Sequence, residues 1–444
     1  MTDAAPPHPT FAQALRVWTK VGLLSFGGPA GQIALMHRIL VEEKRWVSEA
    51  RFLHALNFCM LLPGPEAQQL AVYVGWLLHR TVGGIVAGVL FVLPGAAVVL
   101  ALSVLYAGYH DVPLVQAAFV GIKAAVLAVV IEAVLRIGRR VLKNRVMVTL
   151  AALAFAAVFL FQAPFPLVVL AAAAIGFAGA RFDPATFAIV AKGSTDAVRD
   201  DYGPHTRPNL PRTIMVVGVC CVLWFAPIVA LAVLDTPGAY LAESIFFSKM
   251  AVVTFGGAYA VLAYVAQQAV DVFAWLTPGE MVDGLGLAET TPGPLILVLQ
   301  FVGFLGAYRD PGTLSPLAGG IAGAVLTTWV TFVPCFLWIL AGAPYVEALR
   351  GRVALSAALS AITAAVVGVV LNLAVWFGLH VLFGTVGETH ALGMRILLPD
   401  AATLDPIAAG IAIGAAFAIL RYHAPMLPTL AVCAALGLAT GAVL

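Results

Sequence analysis

Apolar positions in this chain come in long continuous runs rather than in strict alternation with polar ones. Residues 112–137 and 212–234 are two examples, rich in Ala, Leu and Val. Roughly 20 helical residues cross a hydrocarbon layer of ~30 Å. Lipid leaves backbone polar groups unsatisfied, so a spanning segment is a helix or a strand of a closed barrel. Continuous runs predict helices, and the expected fold class is an all-α, polytopic membrane protein. The pattern is interrupted at four points by Gly and Pro, in "SFGGPAG", "LLPGPE", "TFGG" and "TTPGP".

These interruptions recur in register. At one fixed offset Lys20 matches Lys249, "SFGG" (25–28) matches "TFGG" (254–257) and Trp46 matches Trp275. The same offset aligns "PGP" at 63–65 with "PGP" at 292–294, Leu70 with Leu299 and Arg80 with Arg309. An insertion near "RDPGTLSPLAG" then lengthens the offset, after which Gly83 meets Gly323, Pro94 meets Pro334, and "IKAAV" (122–126) meets "ITAAV" (362–366). The chain therefore reads as two copies of one unit, about 11–180 and 240–444. The expected domain plan is a first repeat at 1–180, a polar loop with a linking helix at 181–239, and a second repeat at 240–444. If each copy crosses an even number of times, the extra span at 212–234 turns the second copy over, giving an inverted-topology repeat with broken or re-entrant helices. Counting the broken segments as full spans gives thirteen crossings, and counting them as hairpins gives nine. Hairpins fit the positive-inside rule better, because they return the basic loop "HRILVEEKRW" to the side of the basic run at 136–145.

Composition narrows the class further. Of 444 residues, 62% are hydrophobic and 10% charged, against about half and a quarter in a soluble domain. A net charge of +2 gives no reason to expect a nucleic-acid partner. The odd number of cysteines, with no C-x-x-C pair, indicates neither a disulfide framework nor a zinc site. The polar, Pro-rich start does not resemble a cleavable signal peptide. No phosphate-binding loop, metal cluster or cofactor motif is evident, so neither ATP drive nor an enzyme is expected.

The breaks carry the candidate chemistry. Each creates a half-helix N-terminus with free N–H donors and about half a positive charge, an arrangement suited to an anion. Four such ends are expected, after Gly28, after Pro63–Gly64, after Gly257 and after Pro292–Gly293. Lys20 and Lys249 would add cationic charge, since dipoles alone poorly offset the cost of burying a charge. The candidate anion-binding set is Lys20, Ser25, Gly27, Gly28, Gln32, Asn57, Gly64, Gln68, Gln69, Lys249, Thr254, Gly256, Gly257, Thr290, Thr291 and Gly293, with Gln300 as a further amide. The polar members equally suit a humbler task, satisfying backbone that the breaks expose. Glu66 and Glu289 are the candidate proton carriers, because an ionised Glu66 would repel a dianion and couple protonation to binding. Lys123 lies inside an apolar span, where an ionisable residue is a functional candidate or half of a structural ion pair. Glu132, about 180° round the same helix, is not its partner.

The stretch "SFGGPAGQIALMHRILVEEKRWVSEARFLHALNFCMLLPGPEAQQLAVYVGW" resembles the signature region of the chromate ion transporter family. "TFGGAYAVLAYVAQQ" and "ETTPGPLILVLQFVGF" are similar to its C-terminal counterpart, so the resemblance covers the long, two-domain form. It implies efflux of chromate across a bacterial inner membrane, sulfate as analogue and competitor, and coupling to the proton gradient. Its motif positions here are Phe26, Gly27, Gly28, Pro29, Gln32, Pro63, Gly64, Pro65, Glu66 and Gln69. The second copy departs from them, with Ala258 in place of the first proline and Leu295 in place of the glutamate. The expected partners are therefore a chromate or sulfate anion and the lipid bilayer, with room for a homodimer. A sulfate transporter of the same fold, a lipid-headgroup enzyme and a non-transporting scaffold are the rival readings.

Overall fold

The structure is a computed structural model describing residues 8–187, 203–255, 258–345 and 353–441. It is an all-α, multi-pass membrane protein with six helices long and apolar enough to cross a bilayer among the described residues. Bulky apolar side chains stand exposed along them, for example Ile214, Met215, Val222 and Val229 on one helix. Such a continuous apolar exterior suits lipid rather than water.

The helices are α1 (Phe11–Leu24), α2 (Gly28–His37), α3 (Glu49–Cys59), α4 (Glu66–Tyr109), α5 (Pro113–Val141), α6 (Arg145–Phe161) and α7 (Phe165–Phe182). A single turn, α8 (Pro184–Phe187), precedes the loop to α9 (Leu210–Val233). Then follow α10 (Tyr240–Val253), α11 (Ala258–Gln267), α12 (Pro278–Thr290), α13 (Val298–Arg309), α14 (Pro316–Gly342), α15 (Val353–Leu382), α16 (Pro406–Tyr422) and α17 (Met426–Gly441). Their starts are set by local chemistry. Thr10 closes a capping box with Gln13, while Ser48, Asn144, Asn209, Ser315 and Asp405 each accept a bond from a first-turn N–H.

Backbone details recur at matched positions of the sequence. A π-helical turn covers Arg38–Glu43 and another covers Gln268–Val272. Each leads to a residue with positive φ, Arg45 (54°) and Ala274 (53°), and then to a tryptophan. The Trp46 N–H donates to Leu40 O and the Trp275 N–H donates to Ala269 O. Further on, Asn144 caps α6 as Asp405 caps α16, and both helices end on a left-handed residue, Gln162 and His423. Strands β1 (Val386–Ala391) and β2 (Met394–Pro399) form an antiparallel hairpin turned at Leu392 and Gly393, with no counterpart between α5 and α6. Strand pairing there was not foreseen from the sequence.

The chain forms two compact units, each drawn from three separate segments. Unit 1 comprises 1–103, 193–258 and 291–350, where α14 packs against α9, α10 and α13. Small residues bring these backbones close: Gly303 meets the Thr327 side chain, and Gly22 of α1 sits on the Leu90 carbonyl with no room for a Cβ. Unit 2 comprises 104–192, 259–290 and 351–444. Its centre is α15, which touches α5, α6 and α7, while α16 and α17 pack on α5. There Gly121 and Gly437 each abut a carbonyl across the α5–α17 contact.

Candidate functional site

In unit 1 the broken segments are organised by backbone geometry before any side chain acts. α1 ends at Leu24, and the Ser25 hydroxyl folds back to the Val21 carbonyl at 2.6 Å. Thr254 does the same to Met250 at 2.6 Å. Phe26 and Phe255 each close the next turn through an N–H two residues ahead of its acceptor, 2.9 Å in both cases. Gly27 (φ +85°) and Gly28 (φ +67°) then take left-handed conformations, and α2 begins. A Cβ added at either would meet nothing within 4 Å, so this turn is open in front. Successive residues of this kind turn backbone N–H groups towards one side, as anion-binding nests do.

The two PGP segments carry the same left-handed glycine, Gly64 (φ +118°) and Gly293 (φ +91°). Their N–H groups go to the opposite copy. Gly64 donates to Thr254 O at 2.7 Å, and Gly293 donates to Ser25 O at 2.9 Å. Gly64 lies beside Cys335 and Gly293 beside Gly95, again matched positions. The first PGP segment is thus hydrogen-bonded to Thr254 and the second to Ser25, the residues just ahead of Phe255 and Phe26. After these turns α4 begins at Glu66, whereas the second copy inserts a 3-10 turn, Leu295–Leu297, before α13.

The chain belongs to the chromate transporter family. The family profile matches residues 12–177 and 241–438. The chain is 35% identical to a chromate transport protein of Pseudomonas aeruginosa, over 83% of this chain and 81% of that one. It is 28% identical to a chromate transport protein of Cupriavidus metallidurans, over 82% of each. A probable chromate transport protein of Synechococcus elongatus is 26% identical over 84% of this chain. No solved structure matches the chain.

The structure separates the sequence-derived candidates of the transporter. Ser25, Gln32, Gly64, Gln69, Thr254 and Gly293 come together in the crossed turns. Gln32 is 1% exposed and donates from Nε2 to Gly293 O (2.6 Å) and Ser25 O (3.3 Å), so both its amide hydrogens serve backbone. Gln69 donates to Pro63 O at 2.6 Å, and Gln300 donates to Ala96 O at 2.8 Å. These three amides stabilise exposed backbone, the humbler of the two tasks their chemistry allowed. Gln68, by contrast, is fully buried with neither amide atom partnered among the described residues. Thr291 is buried, and Glu66 is half-buried at the start of α4. Lys20, Asn57 and Lys249 occupy exposed faces of α1, α3 and α10. Gly256 and Gly257 lie outside the described residues.

Thr290 and Glu289 belong to unit 2. The Thr290 hydroxyl donates to Leu287 O, and Glu289 is buried with the Tyr259 hydroxyl donating to it. Lys123 forms an ion pair with Asp283, and Glu132 pairs instead with Arg136 one turn along its own helix. Asp283 and Tyr259 were missed in the sequence, as was Glu243, a fully buried carboxylate on α10 beside Gly323. The signal was available, since an ionisable residue in an apolar run is a functional candidate by default.

Proposed function

We propose that this protein is a secondary transporter exporting chromate across a bacterial-type inner membrane, coupled to the proton gradient. It is built as two inverted repeats, 1–180 and 240–444, joined through 181–239. The crossed hydrogen bonds from Gly64 to Thr254 and from Gly293 to Ser25 carry this reading. Two copies exchanging identical backbone contacts at their helix breaks is what a shared site at a repeat interface requires. The family match over 12–177 and 241–438 supports chromate as the substrate.

Chromate is a tetrahedral dianion, and the open Gly27–Gly28 turn and the helix starts at Gly28 and Glu66 supply N–H donors of the right sign. Lys20 and Lys249, at matched places on the helices leading into the breaks, supply cationic charge. Glu66 is a proton-coupling candidate, since neutralising a carboxylate near a dianion favours its binding, and Glu289 is the corresponding candidate of the second copy. Rocking or hairpin movement around the crossed turns gives alternating access.

Flux into proteoliposomes tests the reading, with labelled chromate or sulfate followed with and without an imposed pH gradient. Saturable, gradient-driven flux that falls in Lys20→Ala and loses its pH response in Glu66→Gln is expected. Sulfate carried in preference to chromate would reassign the substrate within the same mechanism. Folded protein carrying neither anion would end the proposal.

A further inference from the structure

Unit 2 contains a buried polar cluster that anion binding at the breaks does not use. Lys123 of α5 meets Asp283 of α12, Nζ to Oδ1, at 3.3 Å. The Tyr106 hydroxyl, near the end of α4, donates to Oδ2 of the same carboxylate at 2.8 Å. Asp283 is 5% and Tyr106 6% exposed, while Lys123 keeps about a quarter of its side chain open. His110 follows one turn after Tyr106 and stacks on its ring, 5.3 Å between centroids, with its own imidazole 3.1 Å from the exposed Asp111. Phe119 of α5 seals the ring edge-on. Glu280, one turn earlier on α12, also acts on Asp283 and is held by Thr277 in a capping box.

A buried ion pair adds little stability relative to apolar side chains of the same size, because desolvation offsets the attraction. Within a membrane span such a pair marks a relay or binding site by default. We propose that Asp283 is a proton-binding site of the transport cycle, with Lys123 and Tyr106 as its positioning residues; this rests on the transport reading above. Tyr106 occupies Oδ2, so the proton adds to Oδ1, the oxygen facing Lys123. The ion pair is then broken and the Lys123 charge left unbalanced, which adds one positive charge inside the membrane, the sign that favours loading a dianion. Loss of the proton restores the pair.

The test follows anion flux and proton uptake together in proteoliposomes, across a series of pH values, for wild type, Asp283→Asn and Tyr106→Phe. Asp283→Asn is expected to cut gradient-stimulated chromate flux at least about tenfold and to abolish the accompanying proton uptake. Tyr106→Phe removes a donor to the charged form, so the pH midpoint of flux should rise by about one unit. A purely structural pair would lower thermal stability in both variants while leaving the midpoint and the protons moved per anion unchanged, and that result overturns the assignment. If Asp283→Asn fails to fold, an unmoved midpoint in Tyr106→Phe overturns it alone. Wild-type protein that carries no anion ends the transport reading and this assignment together, whereas coupled flux surviving in Asp283→Asn ends only the assignment.

Discussion

The turn at residues 25–28 and its counterpart beginning at Thr254 follow one backbone plan with different side chains around it. Both begin with a hydroxyl bonded back to the preceding turn, and both accept a glycine N–H from the opposite PGP segment. Yet Gln32 in the first copy corresponds to Val261 in the second, Glu66 to Leu295 and Gln69 to Val298. The backbone geometry is duplicated and the polar chemistry is concentrated in one copy. Main-chain donors thus make the same pair of contacts at both places, while the side chains around them differ.

Substitutions at the paired glycines should break the comparison most. Gly64→Ala places a Cβ 2.9 Å from Cys335 Sγ and Gln69 Nε2 at φ +118°. It should cost about 3 kcal/mol from the left-handed backbone and crowding together, and should abolish flux. Gly293→Ala faces looser neighbours, 3.2 Å from Leu297 and 3.4 Å from Gly95, and should cost about 1–2 kcal/mol. Thermal melts of the two purified variants check the order; equal losses would mean that crowding at Gly64 is relieved at no cost.

Gln32→Leu comes next, since it strips donors from two buried carbonyls and should cost about 2 kcal/mol. The matched position in the second copy is already Val261, so no such penalty applies there. Ser25→Ala and Thr254→Ala should each lose about 0.5–1 kcal/mol, and by the same amount, because each removes one bond to the preceding turn. Unequal losses would mean that the two turns are less alike than their backbones.

The smallest effect concerns a second paired break. In the first copy α4 leaves helical geometry at His79 and Arg80, whereas α13 simply ends at Arg309. His205, from the segment linking the copies, donates from Nε2 to the carbonyls of Trp76 and Leu77 beside that kink, 3.1 and 3.2 Å away. Burial lowers its pKa below the usual 6.5 despite the bond to Trp76 O. A depressed imidazole pKa favours the folded form while neutral, so the contribution is complete above about pH 6.5 and declines as pH falls below it. His205→Gln should flatten that acid-side slope in melts taken from pH 7.5 to 5.5.

The sequence by itself determined the membrane class, the helical fold and, among the described residues, helix breaks at Gly27–Gly28, Gly64 and Gly293. All of these depend on apolar run length and on Gly and Pro, which are local properties. That Gln32 serves the Gly293 carbonyl, and that Gly64 bonds to Thr254 and Gly293 to Ser25, was decided only in three dimensions, by segments more than 180 residues apart in the chain. The same holds for Lys123, whose partner had to come from another helix and proved to be Asp283. An ionisable group in an apolar run announces that it needs a counter-charge. Which group supplies it depends on how the helices pack, and that is a tertiary decision.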